Sequence, residues 1–235
     1  MKQLTRGIIY LAGLAILALG ITLNTKTGLG VSPIIAVAYA VSVICGTDFG
    51  NTVLLWYCVF VLVEIVLHGI KTHGRERMQK VILDVLQIPL SIVFTRFMNL
   101  YVAVIPDFAA DCKGTFPGTF AGRMLFLLIA VCLTGIGAAM SLDMRLIPNP
   151  GDGIVQTISD VSGKEVGLVK NMFDVTSVLL ICVIGLIFAH RIIGIGIGTL
   201  VAVLGVGRVI ALFQHLFFKK IQEISGREKD AAEGA

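Results

Sequence analysis

The sequence predicts an all-α membrane protein with six transmembrane helices plus two re-entrant half-helices, arranged as a 3+3 inverted-topology repeat. Three observations carry this: six apolar runs of spanning length, two Pro- and Gly-marked segments too short to cross, and a match of the chain to itself. Of the 235 residues, 56% are hydrophobic and 14% charged, and the mean hydropathy of +0.92 lies far above that of a soluble domain.

The apolar runs fall near residues 7–23, 51–70, 81–105, 124–141, 168–189 and 192–217. Each is long enough to cross, because about 20 helical residues span the hydrocarbon core. The first run follows "MKQLTRG", and "LGITLNTKTGLG" after it has no clear A-x-A cleavage site, so it reads as a retained span rather than a removed signal. Lys and Arg gather at Lys2 and Arg6, in "KTHGRERMQK" (71–80) and in "FKKIQEISGREK" (218–229). The positive-inside rule puts all three in the cytoplasm, with both chain ends. The segment 24–50 must then begin and end outside, and 142–167 must begin and end inside, so neither crosses.

Those two segments carry the same punctuation. "LGVSPIIAVA" (29–38) and "IPNPGDGIVQ" (147–156) each hold a polar residue before a proline, Ser32-Pro33 and Asn149-Pro150. That is an N-cap followed by proline in the first helical turn, where its missing N–H costs nothing. Each runs about 13 residues to a glycine, Gly46 or Gly163, suited to a helix C-terminus. Such a helix is roughly 20 Å long, short of a core of about 30 Å. Interrupted backbone at membrane depth survives only inside protein or against a wet cavity, which puts the half-helices at the centre. An amphipathic helix flat on the cytoplasmic surface is the other reading of 150–162, given Gln156, Thr157, Ser159 and Asp160.

An ungapped offset of 117 residues pairs Gly20 with Gly137, Pro33 with Pro150, Ser42 with Ser159, Gly46 with Gly163 and Gly50 with Gly167. An offset of 112 pairs Arg96 with Arg208. Three crossings per half force the halves into opposite orientations, an arrangement of secondary transporters. The expected organisation is a first membrane repeat at 1–110, an external connecting loop at 111–123, a second repeat at 124–218 and a disordered cytoplasmic tail at 219–235.

Half-helix N-termini meeting at the midplane present free N–H groups and partial positive charge to an anion. Ser32, Pro33, Asn149, Gly151, Asp152 and Gly153 at these corners are therefore candidate substrate-binding residues. "VGLVKNMFDVTSVLL" adds Lys170 and Asp174, four residues apart on one helix face. A carboxylate at a span centre costs about 2.5–3.5 kcal/mol, which marks Asp174 as functional by default, with a plain ion pair to Lys170 as the equal alternative. Asp152 either caps its own helix or reaches the cavity. Arg96 and Arg208 read as snorkelling to the interfaces, and Glu64 and Asp84 as interfacial, with Asp84 and Gln87 weaker cavity candidates before Pro89.

Other functions find no pattern. The pairs Gly46/Gly50, Gly163/Gly167 and Gly194/Gly198 read as small-xxx-small helix contacts, and no phosphate-binding glycine motif is present. His68, His73, His190 and His215 sit at span ends without a second ligand at helical spacing, so no metal, cofactor or catalytic constellation is expected. Cys45, Cys58, Cys112, Cys132 and Cys182 show no disulfide spacing and read as packing residues. The net charge of +4 lies in loops beside spans, which excludes nucleic acid as a partner.

The stretches "GLGVSP", "GTDFGNTVLLWYC", "LQIPLSIVFTRF", "PGDGIVQTISDVSGKEVGLVKNMFDV" and "GIGIGTLVAVLGVGRVIALF" resemble bacterial membrane proteins of the YczE/YyaS/YitT type, over nearly the whole chain. The family's Ser-Pro corner falls on Ser32 and Pro33, its Asp-Gly on Asp152 and Gly153, and its Lys and Phe-Asp on Lys170, Phe173 and Asp174. Where relatives carry a Pro-Ala-Asp-Gly-like corner, this chain has Pro148-Asn149-Pro150-Gly151 before Asp152. The resemblance implies a multi-pass protein of the bacterial inner membrane.

The expected function is secondary transport of a small polar, anionic solute by alternating access, with Lys170 attracting its charge and Asp174 exchanging a proton. A non-transporting membrane protein that assembles with or regulates an enzyme is the alternative. The expected partners are a small-molecule solute and the lipid bilayer, with a homo-oligomer left open.

Overall fold

A computed structural model describes residues 2–144 and 146–225. Among them the chain forms eight α-helices and no strand: α1 (Lys2–Lys26), α2 (Pro33–Cys45), α3 (Phe49–Lys71), α4 (Gly74–Val104), α5 (Phe120–Asp143), α6 (Pro150–Ser162), α7 (Val166–Ala189) and α8 (Ile197–Ser225). Six of them, all but α2 and α6, are long and apolar enough to cross a membrane. The molecule is an integral membrane protein.

Local chemistry sets the ends. Asp48 caps α3 by accepting from the Asn51 N–H at 2.9 Å, and Thr119 caps α5 through Gly122. Only Thr72 and His73 separate α3 from α4, which forces the two into an antiparallel hairpin.

At the centre α1 packs on α5: 56% and 50% of their apolar windows are buried, against 22% and 17% for α7 and α8. Glycine makes this seam. A Cβ on Gly20 would collide with the backbone of Thr134, one on Gly137 with the backbone of Leu17, and one on Gly13 would lie 3.0 Å from Met140 Cβ. Partner numbers fall as α1 advances, so the two helices are antiparallel. Tyr57, Phe94, Met98, Ile35 and Ile154 fill the main core beside them. Side chains of α1 also hold the connector to α6, with Arg6 donating to the Met144 carbonyl at 3.0 Å and the Tyr10 hydroxyl to that of Ile147 at 2.6 Å.

Several boundaries differ from those expected. The last helix begins at Ile197 rather than 192, because "IIGIG" (192–196) is a loop: Gly194 has φ +69°, its carbonyl accepts from Val31 N–H at 2.8 Å, and the Gly198 N–H donates to the Leu29 carbonyl. The loops preceding α2 and α8 thus lie backbone on backbone, which only glycine allows at Gly30 and Gly196. α5 starts inside the expected external loop, at Phe120, and α8 continues to Ser225, so 219–225 is helical rather than disordered. The rest of the expected tail, 226–235, lies outside the described residues.

The three glycine pairs are not helix-packing stripes. Gly46, Gly163 and Gly194 take left-handed φ at helix ends or in a loop and Gly167 meets nothing within 4 Å, so that of these pairs Gly50 makes a close helix contact, against α4, while the central seam rests on Gly13, Gly20 and Gly137. The cysteines are free, and none is buried.

Candidate functional site

The short helices α2 and α6 are built alike. Ser32 and Asn149 precede them in extended backbone, at φ −63°, ψ 135° and φ −66°, ψ 136°, with proline following. Neither polar side chain caps its own helix. Each helix has 13 residues and ends on a left-handed glycine, Gly46 at φ 63° and Gly163 at φ 68°. Their first turns touch: a Cβ on Gly151 would lie 2.9 Å from Cδ1 of Ile34.

A cavity of about 370 Å³ opens at this junction, bordered by Ser32, Tyr57, Asn149, Gly151, Asp152 and Lys170. Apolar residues of α1, α5 and α8, such as Leu17, Ala138 and Val206, complete its wall. Asn149 is 9% exposed and its Oδ1 has no hydrogen-bond partner, an unmet acceptor at the mouth of a helix. Lys170 Nζ stands 3.3 Å from Asp174 Oδ2, and Asp152 lies within electrostatic reach of both. A lysine, two helix starts and a neutral amide around one space can hold a small polar solute with a negative group.

Of the eight residues expected to bind substrate, the structure brings five to the cavity: Ser32, Asn149, Gly151, Asp152 and Lys170. The other three stand elsewhere. Pro33 is buried as the first residue of α2. Gly153 faces away, because one step along a helix turns the chain by about 100°; a Cβ there would lie 3.0 Å from both Glu64 carboxylate oxygens. Asp174, buried behind Lys170, borders a second, largely apolar cleft of about 560 Å³ between α7 and α8. Arg96 donates to Asn51 and Arg208 to the Leu204 carbonyl, both on exposed faces away from the cavity.

A polar cluster lies behind α6 where interfacial side chains were expected. Glu64 and Asp84 are 1% and 3% exposed. Gln87 Nε2 donates to Glu64 Oε2 at 2.7 Å, and His68 Nδ1 shares a hydrogen bond with Asp84 Oδ2 at 2.7 Å. Thr157 of α6 reaches His68 Nε2 at 3.4 Å. Part of the signal was available: Glu64/His68 and Asp84/Gln87 each share a helix face, on the two helices of one hairpin.

Comparison with known proteins agrees with the resemblance to YczE and YyaS. The chain is similar to an uncharacterized protein of Haemophilus influenzae, 23% identical over 208 residues, covering 88% of this chain and 83% of the relative. It is similar to the uncharacterized membrane protein YczE of Bacillus subtilis, 26% identical over 215 residues (89% and 86%). The uncharacterized protein YyaS of Bacillus subtilis is 25% identical over 223 residues (92% and 94%). No solved structure matches the chain. The model described as "Family of unknown function (DUF6198)" matches residues 4–215, nearly the whole of the helical body, and the chain belongs to that family.

Proposed function

We propose that this protein is a secondary transporter of a small, anionic polar solute, working by alternating access around the cavity between α2 and α6. The carrying observation is that the first turns of two 13-residue helices meet at one cavity that Lys170 also borders. The positive ends of the two helices favour a carboxylate, phosphate or similar group, Lys170 adds a full positive charge, and Asn149 Oδ1 accepts a donor on the solute. Asp174 holds the lysine and serves as its proton-exchanging neighbour.

On this reading α2 and α6 are re-entrant half-helices entering from opposite faces, and the two halves form an inverted repeat. The antiparallel α1–α5 seam supports it, because the offset of 117 maps Gly20 against Thr134 onto Gly137 against Leu17, one contact seen twice with roles exchanged. The protein resides in the bacterial inner membrane with both ends in the cytoplasm, as its basic loops require.

The test uses membrane vesicles incubated with an isotope-labelled metabolite extract, with retained compounds identified by mass spectrometry. Wild-type vesicles are expected to accumulate or deplete at least one anionic compound, and Lys170→Ala and Asp174→Asn to lose most of that difference. The apolar α7–α8 cleft beside the Lys170–Asp174 pair favours a second reading, a non-transporting protein that assembles with a membrane enzyme. Identical retention in all vesicles, with a co-purifying partner lost on substitution in the cleft, would select it.

A further inference from the structure

The cluster behind α6 has a mismatch in its hydrogen bonding. Glu64 and Gln87 are 1% and 0% exposed, and Gln87 Nε2 already donates to Glu64 Oε2. The two oxygens left over, Glu64 Oε1 and Gln87 Oε1, are both buried without a partner. An ionised carboxylate oxygen and an amide oxygen are acceptors only, so the two leftover oxygens have no hydrogen between them to share. Leaving buried acceptors unmet is unfavourable, and more so for a charge.

Among the described residues no unengaged cation faces the pair. The groups facing Glu64 are His68 on its own helix and Asp84 on α4; α6 contributes Gly153 and Thr157, neither of which titrates. His68 is engaged with Asp84, so two ionised carboxylates would share one imidazole in an apolar interior.

We infer that Glu64 binds a proton and is a neutral acid in this conformation, closed on Gln87 as an acid–amide pair. One proton on Oε1 turns that acceptor into a donor, the O–H points to Gln87 Oε1, and the existing N–H bond returns to Oε2. Both orphaned atoms are satisfied at once. Release of the proton leaves a buried charge and two unmet acceptors directly against the backbone of α6 at Gly153, while the preceding Gly151 and Asp152 line the cavity. One turn of α6 therefore touches the proton site on one side and the solute cavity on the other. This makes the proton the coupling ion, a role that rests on the transport reading.

Infrared difference spectroscopy of the purified protein in lipid tests the site without any solute. A carboxylic-acid C=O band is expected at neutral pH, lost in Glu64→Gln, kept in Asp84→Asn and shifted in Gln87→Leu, where the amide partner is gone. Replacing potassium chloride by sodium chloride should leave the band unchanged. Absence of the band, its persistence in Glu64→Gln, or its loss on adding sodium would overturn the proton site, the last outcome in favour of a monovalent cation. Because glutamine mimics the neutral acid, Glu64→Gln should fold and melt at or above the wild-type temperature; a lower melting temperature would also count against the pair. A band that behaves as expected in a protein without solute flux defeats the transport reading alone.

Discussion

At Gly153 a single hydrogen atom in place of a methyl group lets α6 lie against Glu64 and Gln87. A Cβ there would stand 3.0 Å from both Glu64 oxygens and 3.2 Å from Gln87 Nε2. Alanine is about 1 kcal/mol better than glycine inside a helix, whereas overpacking a filled core costs about 1–3 kcal/mol. Neither neighbour can swing into open space, since both are essentially fully buried. The crowding should win, so Gly153→Ala is expected to lower stability by about 1 kcal/mol, measured as a reduced melting temperature in detergent. An unchanged melting temperature would mean that the acid and amide can yield. Sequence marked Gly153 as a site residue but for the wrong side of its helix. The register at which α3, α4 and α6 meet is a tertiary fact, and hydropathy records only how far Glu64 and Asp84 stand from a charged loop.

The short helices were legible as elements because backbone chemistry marks their ends. Proline at the first turn and glycine at the last are requirements of φ and of missing donors, local enough to be read from neighbouring residues. Gly46 and Gly163 test this directly, because a Cβ at either would meet nothing within 4 Å. Any cost of substitution there is backbone strain alone. Gly46→Ala and Gly163→Ala are each expected to lose about 1 kcal/mol of stability, with asparagine recovering part of it. Equal stability of Ala and Gly variants in thermal denaturation would argue that neither glycine is held left-handed. The start of α8 was less legible. "IIGIG" (192–196) is apolar enough to read as span, and its contact with the Leu29–Gly30 backbone, from far away in sequence, keeps it a loop.

Across the whole molecule the halves agree at the centre and differ at one edge. The α1–α5 seam is symmetric under the 117-residue offset, with Gly20 on Thr134 and Gly137 on Leu17. At the periphery, Gly50 packs on α4 and donates its N–H to Asn99 Oδ1 at 2.9 Å. Its counterpart Gly167 has open space around it, and α7 stands apart from α8 across the apolar cleft. On the inverted-repeat reading, exchanging the conformations of the halves generates the second state: α7 closes on α8 and α3 parts from α4, with the two states within a few kcal/mol of each other. Two substitutions separate this from a fixed structure. Gly50→Ala drives a methyl into the Asn99 side chain and against the Thr95 carbonyl, so it should destabilise the present conformation by about 1–3 kcal/mol. Gly167→Ala meets nothing and should be neutral or stabilising by up to about 1 kcal/mol. In a protein with one conformation, Gly167→Ala is therefore silent in every assay. In an alternating transporter the same methyl occupies the gap that has to close, so an undiminished melting temperature is expected together with several-fold weaker solute retention in the vesicle assay. Full retention by Gly167→Ala at preserved stability would refute the exchange of conformations and leave the cleft a permanent feature of the fold.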